Sequence, residues 1–176
     1  MFFMRCRFPM TAFALTASLI FAPGSSFAES NSSSTLKVLA REEGGFNVSA
    51  VQELLDKGDE SVARGDLVGA REHFDKAREV SKQLLSFYRD LSGAFRGLDA
   101  RIPREMDSKG RRTLKLLAEA NLRLAALFRR QNQPEIAVPL LVEVVRLTTP
   151  SQKEGQKAYQ SLIELGFVDT PYLGAR

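Results

Sequence analysis

The chain has 176 residues, of which 44% are hydrophobic and 26% charged, with a formal net charge of +4. These values fit one ordinary globular domain and exclude wholesale disorder, a collagen-like polymer and a disulfide scaffold. One cysteine and one histidine leave little from which a metal centre or a nucleophilic active site can be built.

The amino-terminal 28 residues differ in character from the rest. Arg5 and Arg7 precede a run from Phe8 to Pro23 with no charge, and the small residues Ser26 and Ala28 follow. This order predicts a secretory signal peptide over 1–28, cleaved after Ala28 to leave Glu29 first. The competing reading is an uncleaved anchor, but the apolar run is shorter than the roughly 20 residues a spanning helix needs. Cleavage removes Cys6 and two arginines, lowering the formal charge from +4 to +2. The expected mature protein therefore has no disulfide, is nearly neutral, and lies in the periplasm or an equivalent extracytoplasmic lumen. Nucleic acid is not an expected partner there.

Residues 29–47 open with the polar run ESNSSS and read as a flexible leader. A helical domain is predicted over 48–166, with 167–176 as a tail. Ser49 and Gln52 stand at capping-box spacing, and Val51, Leu54, Leu55, Gly58 and Val62 follow on one helical face. Gly65 and Asp66 mark the turn, Asp66 being placed to cap the next helix. That second helix is read as unusually long. Leu67, Ala70, Phe74, Ala77, Leu84, Tyr88, Leu91, Phe95 and Leu98 recur at helical steps, Ser81 is out of character, and Pro103 is the expected stop.

Asp99 to Arg112 reads as a charged connector. A third helix follows, apolar on nearly every side from Leu114 to Phe128, and belongs at the centre of the array. Pro134 is suited to the first turn of a fourth helix, with Pro139 placed to kink it and Thr148, Thr149 and Pro150 ending it. Ser151 and Glu154 suggest a capping box for a fifth, closed by Gly166 as a left-handed cap. No segment alternates with period two for long enough to be a strand. The predicted fold is all-α, an antiparallel array of about five helices.

Gly58, Gly65, Ala70, Phe74 and Ala77 have a spacing that resembles the tetratricopeptide repeat, in which Ala permits close helix approach and Phe fills the gap between the paired helices. Leu124, Ala125, Phe128, Asn132, Ala137, Leu141 and Val144 repeat the pattern in degraded form. Leu54 and Asn121 stand where the family has Trp, and Lys57 and Ser61 where it has Leu and Tyr. The first unit lacks the closing Pro. Ala70 and Ala137 lie 67 positions apart, nearly two family periods, without a recognisable middle repeat.

The resemblance implies a binding scaffold whose first helices line a concave surface for extended peptides or partner helices. Carried onto this chain, that surface would present Leu122, Arg123, Ala126, Arg129 and Arg130 from the second unit, and Leu55, Asp59 and Val62 from the first. The adjacent Arg129 and Arg130 suit a protein or peptide partner bearing acidic groups, although cations there also favour the helix carboxyl end. A second basic stretch contains Arg101, Arg104, Arg111 and Arg112 with Lys109 and Lys115. It reads either as a solvated surface or as a patch for an acidic partner or anionic lipid. His73 beside Phe74 has the setting of a surface or half-buried residue rather than of a ligand. The expected function is an exported, non-enzymatic interaction or assembly scaffold without cofactor or metal. The alternatives are an envelope enzyme using a carboxylate pair on cell-wall sugar and a helical spacer.

Overall fold

The computed structural model describes residues 45–174; the expected signal peptide, its cleavage site, Cys6 and most of the leader lie outside them. The described residues form five helices and no strand: α1 (Val48–Ala63), α2 (Leu67–Ala94), α3 (Arg101–Arg130), α4 (Pro134–Thr148) and α5 (Lys153–Glu164). The all-α expectation of about five helices holds.

The first two helices start where the side chain of the N-cap residue satisfies a first-turn N–H group. Asn47, not Ser49, caps α1, its side chain accepting the Ala50 N–H at 2.8 Å. Asparagine is as good a cap as serine, and it allows Val48 to enter the helix. Phe46 stacks edge-on against Phe87 with ring centroids 6.1 Å apart, so the last leader residues are part of the domain edge. Asp66 caps α2 through the Gly69 N–H at 2.9 Å, after Gly65 turns the chain at φ +80°.

The charged connector proves to be helix. α2 stops at Ala94, with Gly97 at φ +87°, and α3 is under way by Arg101. Pro103 therefore starts a helix instead of stopping one, since first-turn N–H groups have no intrahelical acceptor to lose. Two helices are long, not one. α2 has 28 residues and α3 has 30, which makes them about 42 and 45 Å. Their length accounts for the 67-residue interval, because α2 leads directly into α3 with no helix pair between them. Asn132 turns the end of α3 at φ +58°, and Pro134 opens α4. The second capping box is absent. Gln152 is the cap of α5, while the Ser151 hydroxyl meets that of Thr149 at 2.7 Å. Gly166 closes α5 at φ +76°, as the sequence suggested.

Successive helices pack as antiparallel pairs, and α3 also touches α1 and α5. The odd-numbered helices thus form one layer, with α2 and α4 behind them. Phe74 is 1% exposed, and its ring lies where a Cβ on Gly58 would have to be. Glycine on α1 and phenylalanine on α2 together allow these helices to approach closely. Arg71 adds a cation–π contact over Phe128, 5.1 Å from the ring centroid.

Ser81, the residue out of character on α2, is fully buried and donates its hydroxyl to the Ala77 carbonyl at 2.7 Å. Thr113 and Thr148 use the same local bond, to Lys109 and Val144. Asn121 is different: both its side-chain polar atoms are buried without a partner among the described residues, an arrangement that costs stability. Pro139 lies inside α4 and is itself exposed, between buried Ala137 and Leu140. The tail folds back onto α5, where the Tyr159 hydroxyl donates to the Thr170 carbonyl at 2.8 Å and its ring meets Tyr172 edge-on.

α4 reaches α2 through Glu143, which accepts from Arg78 at 2.7 Å and Lys82 at 2.9 Å. Burial pushes the Glu143 carboxyl up, but the hydrogen bonds and charges of Arg78 and Lys82 more than offset it and hold it below the ordinary glutamate value. Its folded-state pKa being lowered, Glu143 stabilises the fold fully above the unfolded-state value of about 4.3 and loses that contribution as pH falls. Urea unfolding from about pH 6 down to pH 3 is expected to show Glu143→Gln converging on the wild type at the acid end. A stability difference independent of pH would remove this carboxylate from the acid transition.

Candidate interaction site

A groove runs between α3 and α5. Its α3 wall is Glu119, Leu122, Arg123 and Ala126, and its α5 wall includes Glu154, Lys157, Gln160, Ser161 and Glu164. Both sets recur at three- and four-residue steps, so each occupies one face of its helix. The groove encloses about 800 Å³. An ion pair stands near each end: Lys115 to Glu154 at 3.9 Å, and Arg129 to Glu164 at 3.0 Å.

A narrower furrow lies on the other side of α3, between it and α1. Asp59, Val62, Phe74, Arg123, Ala126, Leu127 and Arg130 line about 130 Å³ there. Arg123 links the two features. Its Nε donates to both Asp59 oxygens at 3.0 Å, and its guanidinium also meets Glu119 at 3.2 Å. Farther along the same seam, Val48, Ser49 and Gln52 face Arg112, Lys115, Leu116 and Glu119 around about 350 Å³.

No family model, curated protein or solved structure matches this chain.

Leu122, Arg123 and Ala126 come together in the groove, and Asp59 and Val62 reach the adjoining furrow. Leu55 does not: it is wholly buried in the core. The arginine pair is divided. Arg129 is bound to Glu164 and to the Ser161 hydroxyl at 3.3 Å, whereas Arg130 is exposed on the α1 side with no carboxylate partner among the described residues. Adjacent positions on a helix diverge by about 100°, so one arginine faces α5 and the other α1. The basic stretch lies elsewhere, with Arg101, Arg104 and Arg111 toward the far end of the α2–α3 hairpin and Arg112 opposite the start of α1. Apart from Lys115 at the groove's end, it is not part of this groove.

The α5 wall was absent from the sequence-based site. Its apolar residues Ala158, Leu162 and Leu165 were legible as a core face, and the complementary polar stripe at 154, 157, 160, 161 and 164 was the available signal. His73 is half-buried on α2 and lines none of these cavities. Among the described residues no group of three His, Cys, Asp or Glu side chains is disposed to hold a metal ion, and no helix is long and apolar enough to cross a membrane.

Proposed function

We propose that this chain is an exported, non-enzymatic interaction scaffold of tetratricopeptide-like kind, and that the groove between α3 and α5 receives an extended or helical segment of a partner protein. The observation that carries this reading is the form of the groove: a trough between two helices, with Leu122 and Ala126 beside charged and amide side chains. Such a surface suits a chain offering alternating apolar and polar groups. Export rests on the residue order of positions 1–28.

The carboxylates favour binding over glycosidic chemistry. Glu119 faces Arg123, Glu154 faces Lys115, and Glu164 faces Arg129. Glycoside hydrolysis needs two carboxyl groups free to flank one bond, whereas each of these three is taken up by a cation of its own. The preference for acidic partners rests on Lys157 in the groove and Arg130 in the furrow, which have no carboxylate partner among the described residues.

A photocrosslinking residue at Gln160, introduced into the full chain in its native cells, is expected to yield discrete protein adducts. The same residue at Glu72, exposed on α2, should not yield them. Ala126→Trp, which fills the groove, should abolish the adducts without altering circular dichroism. Against the partner so identified, Arg130→Glu with Lys157→Glu is expected to slow association and flatten its salt dependence. Adducts of the same pattern from both crosslinking positions, or unchanged in the Ala126→Trp chain, would refute binding in the groove. An intact mass beginning at Glu29 checks export in the same preparation.

A further inference from the structure

The far end of the α2–α3 hairpin stands apart from the groove. Phe46 meets α2 at Phe87, and Ser49 and Gln52 meet α3 near Arg112. α3 has by then run about 16 Å from Arg101. On the opposite flank Glu154 approaches Lys115. The hairpin thus extends past the starts of α1 and α5.

Between residues 85 and 112 there are seven basic and four acidic side chains. Arg101 grips Asp99 through its Nε and Nη2, the latter at 2.7 Å, and Lys109 pairs with Glu105 at 2.6 Å. Those hydrogen bonds hold the Asp99 carboxyl below its usual range. Arg89, Arg96, Arg104, Arg111 and Arg112 have no carboxylate partner among the described residues. Two acids remain outside ion pairs: Asp90 accepts the Ser86 hydroxyl, and Asp107 accepts that of Ser92 at 3.1 Å. Arg89, Arg96 and Arg111 line one cleft of about 370 Å³ together with Leu85, Tyr88 and Met106. Beside it, on the turn made by Gly97, Leu98 is 80% exposed.

We propose that this end of the hairpin docks on an anionic phospholipid bilayer, with Leu98 entering the interface and the unpaired Arg89, Arg96, Arg104 and Arg111 taking lipid phosphates. The positive excess suits any polyanion, and the exposed leucine favours a surface with an apolar layer over a small soluble anion. A soluble anion leaves Leu98 in water, whereas a bilayer surface accepts an apolar side chain flanked by guanidinium groups. Arginine also matches a phosphate group with two parallel hydrogen bonds.

The test is cosedimentation of the full chain with vesicles of phosphatidylcholine alone and of an equal mixture with phosphatidylglycerol. Because Arg5 and Arg7 also favour anionic vesicles, each variant's ratio is read against that of the wild type, which residues 1–44 affect equally. The wild type is expected to prefer the anionic vesicles by at least tenfold, with the preference falling as salt is raised. Each arginine near such a surface is worth about fivefold, so Arg96→Glu with Arg104→Glu should erase the preference. Leu98→Ser should weaken binding to the anionic vesicles by about tenfold. Arg146→Glu, an exposed change on α4, should leave the ratio within about twofold of wild type. All four positions are exposed, and circular dichroism checks that each variant is folded. Three results would each overturn the proposal: no preference for anionic vesicles, an equal loss with Arg146→Glu, or binding insensitive to Leu98→Ser and displaced by inorganic phosphate. The last would make the cleft a site for a small soluble anion.

Discussion

Phe74→Ala is expected to destabilise the domain by about 3–5 kcal/mol, which for a domain of this size lowers the thermal midpoint by about 10–25 °C. Phe74 is the largest of the fully buried side chains among the described residues, and its ring rests on the backbone of Gly58. Alanine leaves a void against a glycine, and neither position has a side chain able to fill it. The space also adjoins the furrow lined by Asp59 and Val62. α1 packs chiefly on α2, so loss of the ring should loosen α1 first. Thermal and urea unfolding measure the total, and hydrogen exchange over 48–63 measures where it falls. An unchanged midpoint would show that Phe74 is not what joins these helices.

Gly155→Ala is the second change expected to have a large effect. In α5 this glycine faces the carbonyl of Thr149 so closely that a Cβ would overlap the oxygen. A backbone atom cannot turn aside as a flexible side chain can. Thr149 is also held at φ +58° and ψ 154°, a conformation costly for a β-branched residue. The expected loss lies toward the upper end of the roughly 1–3 kcal/mol typical of overpacking, with exchange rising over 153–164 as α5 shifts away from α4. Because α5 is one wall of the groove, partner binding should fall with it. Gly93→Ala and Gly110→Ala supply the contrast. Both glycines are helical with open space around them, so alanine there should raise stability by up to about 1 kcal/mol. If Gly155→Ala behaves like these two, the close contact between α4 and α5 is not required.

Much of the architecture was legible because helical periodicity is a local signal. Val51, Leu55, Ala70, Phe74, Ala77, Leu124 and Leu141 occupy buried positions that their spacing marked as apolar faces. Gly65, Asp66, Pro134 and Gly166 act at the turns as their backbone preferences require. Boundaries were less legible where two arrangements satisfy the same rule. Pro103 is as compatible with a first turn as with a stop, so the residues from Asp99 to Arg112 read as a connector although α3 occupies most of them. Phe95 and Leu98 continue the α2 period, yet they lie beyond its end.

The sequence by itself determined helix content, most turns and the faces that must be buried, since each depends on residues within a turn or two of one another. Only the tertiary structure decided which polar faces meet. Arg123 joins Asp59, 64 positions earlier, and Arg129 joins Glu164, 35 positions later. Neither partner can be selected from local spacing, because many carboxylates share the same helical register. The separation of Arg129 from Arg130 follows from the same cause: adjacent in sequence, they face different neighbours once α1 and α5 are packed on opposite flanks of α3. A groove is formed by the relative placement of two helices, and that placement depends on contacts as specific as Phe74 on Gly58 and Gly155 on Thr149.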